Sequence, residues 1–264
     1  MKPSLNFEKD IDRQFANNLS RGLAVLKVFT VSNQLLGNIE ISRLTGLPKA
    51  TVFRLTYTLE LLGLLTRVER LQKFRLGPEV LTLGYPMLAG MEIRHIVRPY
   101  MEQLATKTRW SVNLGMLGRL ELIYVDAMRY DKGNLLKPDI GSSRPLLTTA
   151  MGRVLLISSK PEDREAILNR LKLQDASRFR REIELLHRDQ DFYEKNQYCL
   201  SMGDLAADVI AIAVPIKGVS TDAPLFAMNC TVSGHKITKT EIAKNIAPQL
   251  IEARRNIERA QAGL

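Results

Sequence analysis

Positively charged side chains are concentrated between residues 42 and 75, where they could bind a polyanion such as nucleic acid. This segment contains seven Lys or Arg residues and two Glu residues, a net charge of +5 that is half of the chain's +10. Because each neutralised phosphate releases a condensed counterion, such a field favours binding to nucleic acid. The alternative is an ordinary solvated surface, which the charge count alone does not exclude.

Several side chains in this segment have the chemistry for specific contacts to a DNA duplex. Arg54 can donate two hydrogen bonds to guanine O6 and N7, and Thr51 can donate to a phosphate or a base edge. Phe53 and Tyr57 can contact thymine methyl groups or pack on a sugar, or they are ordinary core aromatics. The remaining cations would contact phosphates, which sets the register without reading sequence. The predicted DNA-binding residues are Lys49, Ala50, Thr51, Phe53, Arg54, Tyr57, Arg67, Arg70 and Lys73.

The apolar pattern around these residues predicts the order helix, helix, turn, helix and basic hairpin. Apolar residues recur at three- and four-residue spacing over residues 20–31, and a second, short helix fits residues 39–45. Pro48 opens a third helix, and two strand-like runs around a charged tip follow within residues 64–76. This order is typical of a winged helix-turn-helix, whose third helix enters the major groove. The faces predicted to be buried are Leu19, Leu23, Leu26 and Phe29 on the first helix and Val52, Leu55, Leu59 and Leu62 on the third.

The run from Glu40 to Leu55 closely resembles the helix-turn-helix of the IclR family of bacterial transcription regulators. Its most specific part is the block Gly-Leu-Pro-Lys-Ala-Thr-Val-Phe-Arg-Leu at residues 46–55, and residues 59–65 and 74–78 are also similar. Phe53 stands where the family often has a polar residue such as His. The resemblance implies a sequence-specific regulator that binds a palindromic operator in double-stranded DNA and assembles with itself as a dimer or tetramer.

A linker and a second domain are predicted to follow the winged segment. The predicted divisions are an N-terminal extension at 1–19, the DNA-binding domain at 20–77, a linker at 78–90 and the second domain at 91–264. The linker is expected to contain a helix that Gly84, Tyr85 and Pro86 bend or break, and a new helix is expected from Leu88 to Thr108. Beyond it, strands enclosed by helices do not alternate as regular βαβ units, which indicates an α+β domain with a mainly antiparallel sheet.

The second domain resembles the effector-binding part of the same family. Residues 140–156 are similar to the family's Gly-x-x-x-Pro-Leu…Thr-Ala-x-Gly-x-x-Leu-Leu segment, and residues 212–216 and 232–234 match two further signatures. The implied fold is a GAF-like domain in which a small molecule lies against the sheet. The family's ligands are often small or aromatic organic acids, which favour backbone N–H groups and hydroxyls around an apolar cleft.

The resemblance also implies which positions bind the effector. Residues 148–150 open a helix, where free N–H groups suit an anion. Thr231 and Ser233 are two apart on a strand and so share a face, although such hydroxyls are often simply satisfied polar groups. Ala211 replaces a Cys that is frequent in the family, so a thiol contact is absent and the ligand can be larger or more apolar. The implied effector-binding residues are Gly141, Arg144, Leu146, Thr149, Ala150, Met151, Gly152, Asp204, Ala211, Thr231 and Ser233, with the neighbouring region from Ser201.

Motifs of catalysis and metal binding are missing from the sequence. None of the three His residues lies within four residues of another His, and the chain has no Cys-x-x-Cys, His-Glu-x-x-His, Gly-x-Ser-x-Gly or P-loop pattern. The sequence therefore predicts no catalytic residues, no metal and no cofactor. Two alternatives stay open: a winged-helix architectural or RNA-binding protein that uses the same basic segment, and an enzyme that acts on a small acid.

The amino-acid composition indicates the cellular compartment of the protein and whether it binds a membrane. With 45% apolar and 25% charged residues, the chain is typical of a soluble globular protein and not of a disordered or collagen-like one. The longest uncharged runs are about a dozen residues, too few to span a bilayer, and no basic-then-apolar leader opens the chain. Two Cys residues are too few for a disulfide framework. We therefore expect a cytoplasmic protein without a membrane partner.

Overall fold

The fold consists of two compact units, Met1–Gly90 and Met91–Leu264. It was obtained as a computed structural model, which describes residues 14–130, 139–218, 225–233 and 237–263. Residues 1–13 of the expected N-terminal extension lie outside the described residues. The same holds for part of the expected turn at 218–222, for Pro224, and for Gly234 of the 232–234 signature.

From residue 14 onward, the first unit contains four α-helices and a two-stranded antiparallel hairpin. Its sequence order is that of the predicted winged helix-turn-helix, with a short 3-10 turn at Glu69–Leu71 between the strands. Leu65 pairs with Leu76 and Val68 with Lys73 across the hairpin. The elements are α1 (Asn17–Lys27), α2 (Asn38–Thr45), α3 (Lys49–Leu61), β1 (Leu65–Val68), β2 (Lys73–Leu76) and α4 (Glu79–Ala89).

The core of the first unit differs from the predicted one on two helix faces. Leu19 and Leu23 are exposed, and the buried residues of α1 are Gly22, Ala24 and Val25. The prediction is therefore wrong for Leu19 and Leu23, whereas Phe29 is buried and Leu26 packs against the core as predicted, because three- and four-residue spacing fits two overlapping stripes here. Leu62 is also exposed, because it follows the last residue of α3 and no longer continues the helix face. The core is formed by Val25, Val28, Phe29, Leu36, Ile41, Val52, Leu59, Leu65 and Phe74.

The structure of the linker helix differs from the prediction that it would be bent or broken. The predicted break at Gly84 to Pro86 is wrong, because α4 continues through Pro86 and ends at Ala89. A proline removes only one helical hydrogen bond, so the bonds on either side of it can hold the helix together. One of these is the bond that the Gly90 N–H donates to the Pro86 carbonyl at 3.0 Å. The next helix, α5 (Glu92–Thr108), starts after Met91 instead of at Leu88 and contains Pro99 without ending there.

The second unit is an α+β domain around an antiparallel sheet, which confirms the predicted fold class. In its described parts the sheet has six strands in the order β5-β4-β3-β8-β7-β6. The strands are β3 (Ser111–Leu117), β4 (Glu121–Met128), β5 (Ser143–Pro145), β6 (Cys199–Met202), β7 (Val209–Ile216) and β8 (Phe226–Ser233). The helices after α5 are α6 (Ala150–Ser158), α7 (Pro161–Gln174), α8 (Ala176–Asn196), α9 (Lys239–Glu241) and α10 (Ala247–Ala262), with a π-helical turn at Ile242–Ile246 before α10.

The sheet has two faces with different side chains. Successive residues of a strand point to opposite faces, so Ala211 and Ala213 share one face and Ile210 and Ile212 share the other. Ala211 and Ala213 belong to one core cluster with Met151, Val154 and Leu155 of α6. The face under α6 is therefore the one with small side chains, and the opposite face carries the branched ones.

Candidate nucleic-acid interface and ligand site

The third helix is held in place by a polar contact that the sequence reading missed. The Thr56 hydroxyl, on the buried side of α3, lies 3.0 Å from Asn38 Oδ1 at the start of α2 and 3.0 Å from the Val52 carbonyl. Between the two helices, Gly46 adopts a φ of 75° and Ser42 Oγ donates to the Leu47 carbonyl at 2.6 Å. These contacts set the angle at which α3 leaves the turn. In the sequence, this contact was indicated by a threonine at position 56, on the otherwise apolar inner face of the helix.

The outward face of α3 carries the predicted base-reading residues. Phe53 is 63% exposed and Tyr57 58% exposed, so the alternative that they are core aromatics is wrong. Ala50 and Arg54 are exposed beside them, and Thr51 is half-buried. The helix therefore presents a continuous surface whose side chains are available to a partner.

Two cations of the wing form ion pairs within the protein. Lys73 Nζ lies 3.0 Å from Glu40 Oε1, which ties the hairpin to α2. The backbone N–H of Gly37 and then the Lys73 ammonium lower the pKa of Glu40. Arg67 contacts Gln72 and lies 3.5 Å from Glu69. Two of the four predicted phosphate contacts are thus already paired with carboxylates.

The other predicted cations of this unit differ from those two. Lys49, Arg54 and Arg70 are exposed, and no carboxylate in the described parts of the chain pairs with them. Arg43 and Arg75 are also exposed, although the prediction counted them only as charge and assigned them no contact. A cleft of about 590 Å³ separates α3 from the wing and is lined by the aromatic pair of α3, Leu71 and Phe74.

In the second unit, polar side chains form rows across the α6 face of the sheet. Ser111, Thr231, Ala211 and Ser201 stand opposite one another on four neighbouring strands. The next row contains Asn113 and Asn229, both buried, with Asn113 Nδ2 donating to Asn229 Oδ1 at 2.8 Å. The candidate residues predicted from the sequence did not include this pair or Ser111. An Asn within an otherwise apolar strand was the feature of the sequence that indicated a buried polar contact.

The start of α6 gives several predicted effector residues a structural role. The Thr149 hydroxyl accepts from the Gly152 N–H at 3.1 Å and donates to the Pro145 carbonyl at 2.8 Å, so it caps the helix. A Cβ on Gly152 would overlap the Leu146 backbone, which requires glycine there. Leu146, Ala150 and Met151 are buried in the core. Thr148, which the list of effector residues left out, has a buried hydroxyl without a hydrogen-bond partner among the described residues.

A fully buried arginine organises the loop after β6, and sequence reasoning missed it. Arg153 is 0% exposed and donates to Asp189 at 2.7 Å, Asp204 at 2.8 Å, and the carbonyls of Leu147 and Leu200 at 2.8 and 3.0 Å. A single charged residue in the apolar run of α6 was the signal for a buried ion pair.

Asp204, a predicted effector residue, is bound inside this network. Arg188 Nη2 lies 2.9 Å from the same Asp204 oxygen that Arg153 contacts. Burial raises the pKa of this carboxyl, but the hydrogen bonds and charges of Arg188 and Arg153 outweigh that effect and lower it. Asp204 is therefore an anion that already has two cationic partners.

The remaining predicted effector residues do not all meet in one place. Thr231 and Ala211 lie in the same row, and Ser233 follows on the same face, opposite Val209. Thr231 Oγ1 donates to the Ile210 carbonyl at 3.1 Å. Gly141 and Arg144 lie by β5, at the opposite edge of the sheet from β6 and the Asp204 loop.

Three further features of the described residues concern metal binding, thiol reactivity and membrane insertion. Within the described residues, no group of three or more His, Cys, Asp or Glu side chains is placed to hold a metal ion. Burial raises the pKa of Cys199 and of Cys230, so neither thiol is an activated nucleophile. No described helix combines the length and the apolar character that a bilayer crossing requires.

Comparisons with known proteins give one family for both units. The family model described as the IclR helix-turn-helix domain matches residues 18–69, and the model described as bacterial transcriptional regulator IclR C-terminal matches residues 86–259. The chain is 33% identical over 213 residues to the HTH-type transcriptional regulator TsaQ1/TsaQ2 of Comamonas testosteroni, covering 79% of this chain and 75% of the relative. It is 28% identical over 249 residues to the Pca regulon regulatory protein of Pseudomonas putida, covering 93% and 84%. A crystal structure of an IclR family transcriptional regulator from Brucella abortus superposes with a TM-score of 0.82 at 34% identity, covering 96% and 95% of the two chains.

Proposed function

Because this chain belongs to the IclR family, whose members are transcriptional regulators and not enzymes, we propose that it is a ligand-controlled regulator of a palindromic operator. In this proposal α3 and the wing bind double-stranded DNA, and a small organic acid bound by the second unit changes that binding. The observation that supports the proposal most directly is the exposed face of α3. Phe53, Arg54 and Tyr57 point outward there, and the cations beside them have no carboxylate partner among the residues that the structure describes.

Three features of the first unit support the assignment of the DNA contacts. Arg54 has no carboxylate partner in the described residues, so its guanidinium is available for guanine O6 and N7. Lys49 and Arg70 are exposed at the start of α3 and at the wing tip, where phosphate contacts would set the register. The ion pair of Lys73 with Glu40 holds the wing against α2, so Lys73 contributes to the shape of the interface.

A small or aromatic organic acid fits the chemistry of the sheet face under α6. The row through Ser111, Thr231 and Ser201 places three hydroxyl groups on this face, with the small Ala211 side chain between Thr231 and Ser201. The Thr231 hydroxyl donates to the Ile210 carbonyl and the Ser201 hydroxyl bonds to Asp204, so Ser111 is the donor of the row that neither bond uses. The unpartnered hydroxyl of Thr148 lies two residues before α6, whose first N–H groups favour an anion. We place the effector between these groups, with Asp204 closing one end through its arginine partners.

A palindromic operator requires two copies of the chain, and α4 supplies an apolar surface for self-association. Leu81, Leu83, Tyr85 and Met87 are exposed, and α4 buries none of its residues within the unit. We propose a dimer or tetramer in which the effector changes the spacing of the DNA-binding units through α4. Half-sites then lie about one helical turn of DNA apart, or a multiple of it. A regulator of bacterial genes works where the chromosome lies, so the proposal includes a cytoplasmic location.

The test is binding of the purified full chain to its own upstream intergenic DNA, measured by fluorescence anisotropy against random DNA at one salt concentration. We expect a preference of ~10³ or more for the operator. Arg54→Ala should weaken operator binding by about 10-fold to 100-fold, whereas Arg170→Ala, an exposed arginine of the second unit, should leave it unchanged. Equal affinity for both DNAs would instead favour an architectural protein, and preference for RNA would favour an RNA-binding one.

A second step tests the effector. Aromatic and short-chain organic acids are added to the complex of protein and operator, and the change in affinity is measured. We expect one chemical class to shift operator affinity, and the shift to be lost in Thr231→Val, which keeps the shape of the side chain and removes its hydroxyl. If an acid is turned over chemically and operator binding is absent, the enzyme alternative is correct.

A further inference from the structure

The outward face of α3 is apolar to a degree that protein folding does not explain. Ala50, Phe53, Tyr57 and Leu61 are exposed, and at 100° per residue they fall within about 80° of one another around the helix. The core of the unit lies on the other side of α3, where Val52 and Leu59 are buried. Exposed apolar surface of this extent indicates a binding site, since a partner would remove it from water.

The charges around this apolar strip indicate what the partner is. Arg54 lies on the strip itself, Lys49 stands at its N-terminal end, and Arg43 and Arg70 are exposed on α2 and the wing tip. The surface is thus apolar in the middle, and its edge carries these four cations together with Glu60 and with Glu40, which Lys73 neutralises. It fits a polyanion that also presents apolar groups, and the apolar groups of the DNA major groove are the C5 methyl groups of thymine.

We infer that Phe53 and Tyr57 read thymine methyl groups, so that each operator half-site depends on two thymines next to the guanine read by Arg54. The inference rests on the proposed function and names the base chemistry that this recognition helix selects. Phe53 and Tyr57 are four residues apart, a rise of about 6 Å along the helix. Because α3 would follow the major groove obliquely to the duplex axis, 6 Å corresponds to at most about two base-pair steps of about 3.4 Å, so the two methyl groups belong to thymines no more than about two base pairs apart.

Replacement of thymine by deoxyuridine tests the inference directly. The substitution removes one methyl group and keeps every hydrogen-bonding group of the base pair. Operators with deoxyuridine at one position at a time are titrated with the full chain at fixed salt, after specific binding to unmodified operator has been established. We expect two positions in each half-site to lose about fourfold in affinity, the factor for burying one methyl group, and the other positions to lose less than twofold.

Variants assign each methyl group to its side chain. Phe53→Ala should bind thymine and deoxyuridine operators equally at one of the two positions, and Tyr57→Ala should do so at the other. Leu173→Ala, at an exposed leucine of α7 in the second unit, is the matched control and should keep the full loss at both positions. Both aromatic side chains lie outside the core, so circular dichroism and thermal unfolding should match the wild type.

The possible results separate the inference from the function on which it rests. If the chain shows no preference for its operator, the proposed function fails and the inference with it. If the operator is bound specifically and every deoxyuridine operator binds like the unmodified one, only the inference is wrong. If Phe53→Ala and Tyr57→Ala weaken binding but the loss from deoxyuridine persists in them, the aromatic rings pack on sugars and the inference is also overturned.

Discussion

The buried arginine of α6 should be the most important single charge for the stability of the second unit. Arg153→Leu keeps most of the side-chain volume and removes the hydrogen bonds to Asp189, Asp204 and the carbonyls of Leu147 and Leu200. Removing one partner of a buried ion pair costs about 3–5 kcal/mol, because the other charge stays buried without compensation. For a domain of this size, each kcal/mol lowers Tm by about 2–4 °C, which gives a fall of about 6–20 °C.

Urea unfolding followed by circular dichroism measures this loss, with Arg188→Leu as the matched control. Arg188 contacts the same two carboxylates, at 3.1 and 2.9 Å, but its side chain is 50% exposed. Exposed ion pairs contribute about 1 kcal/mol or less, so the control should change the free energy of unfolding little. If both variants lose the same free energy, the argument that burial decides the contribution is refuted.

The pH dependence of the same network gives an independent measurement. The pKa of Asp204 is lowered from its ordinary value of 3.8 by its arginine partners. A carboxyl whose pKa is lower in the folded state stabilises the fold above its unfolded pKa and loses that contribution as pH falls through the folded pKa. The difference in unfolding free energy between wild type and Asp204→Asn should therefore be constant from about pH 5 to pH 8 and shrink below about pH 4. A difference that is unchanged at pH 3 would contradict the assignment of Asp204 as the charged partner.

Three further predictions concern packing, the wing and self-association. Gly152→Ala should cost about 1–3 kcal/mol of unfolding free energy in a urea titration, because its Cβ meets the Leu146 backbone. Gly84→Ala, whose Cβ meets nothing within 4 Å, should leave stability unchanged or raise it by up to about 1 kcal/mol. Lys73→Ala should weaken binding to operator and random DNA by the same factor in anisotropy titrations, and should lower unfolding free energy by about 1 kcal/mol or less because its partner Glu40 is partly exposed. Leu81→Glu, at an exposed position of α4, should give a monomer in sedimentation velocity where the wild type is a dimer or tetramer.

The first unit was predictable because its helices and turns are encoded locally. Gly46 and Pro48 mark the end of α2 and the start of α3, and the structure places both boundaries within one residue of the prediction. The α1 face was not predictable in the same way, since two stripes fit the spacing and only packing against α3 selects between them. Likewise, Pro86 predicted a break that a single missing hydrogen bond did not produce.

The candidate ligand site was less predictable because its residues meet through pairing of distant strands. Asn113 and Asn229 are far apart in the chain and form a buried hydrogen bond only because β3 pairs with β8. No pattern within a short stretch of sequence indicates which strands are neighbours in the sheet. The same limit applies to Asp204, whose contacts with Arg153 and Arg188 require α6, α8 and the loop after β6 to meet.

Two arginines of the second unit and three cations of the first have different surroundings, and this difference supports the proposal that the first unit binds DNA. In the second unit Arg153 and Arg188 share two carboxylates, so their charges are neutralised where they stand. In the first unit Lys49, Arg54 and Arg70 have no carboxylate partner in the described part of the chain and are exposed together with an apolar strip. A cation without a carboxylate partner attracts phosphate over a longer distance than a cation in an ion pair. The electric field of an ion pair decreases more steeply with distance. If the chain's charge acted as a whole, removing any exposed arginine would weaken DNA binding equally; we expect the loss only from those of the first unit.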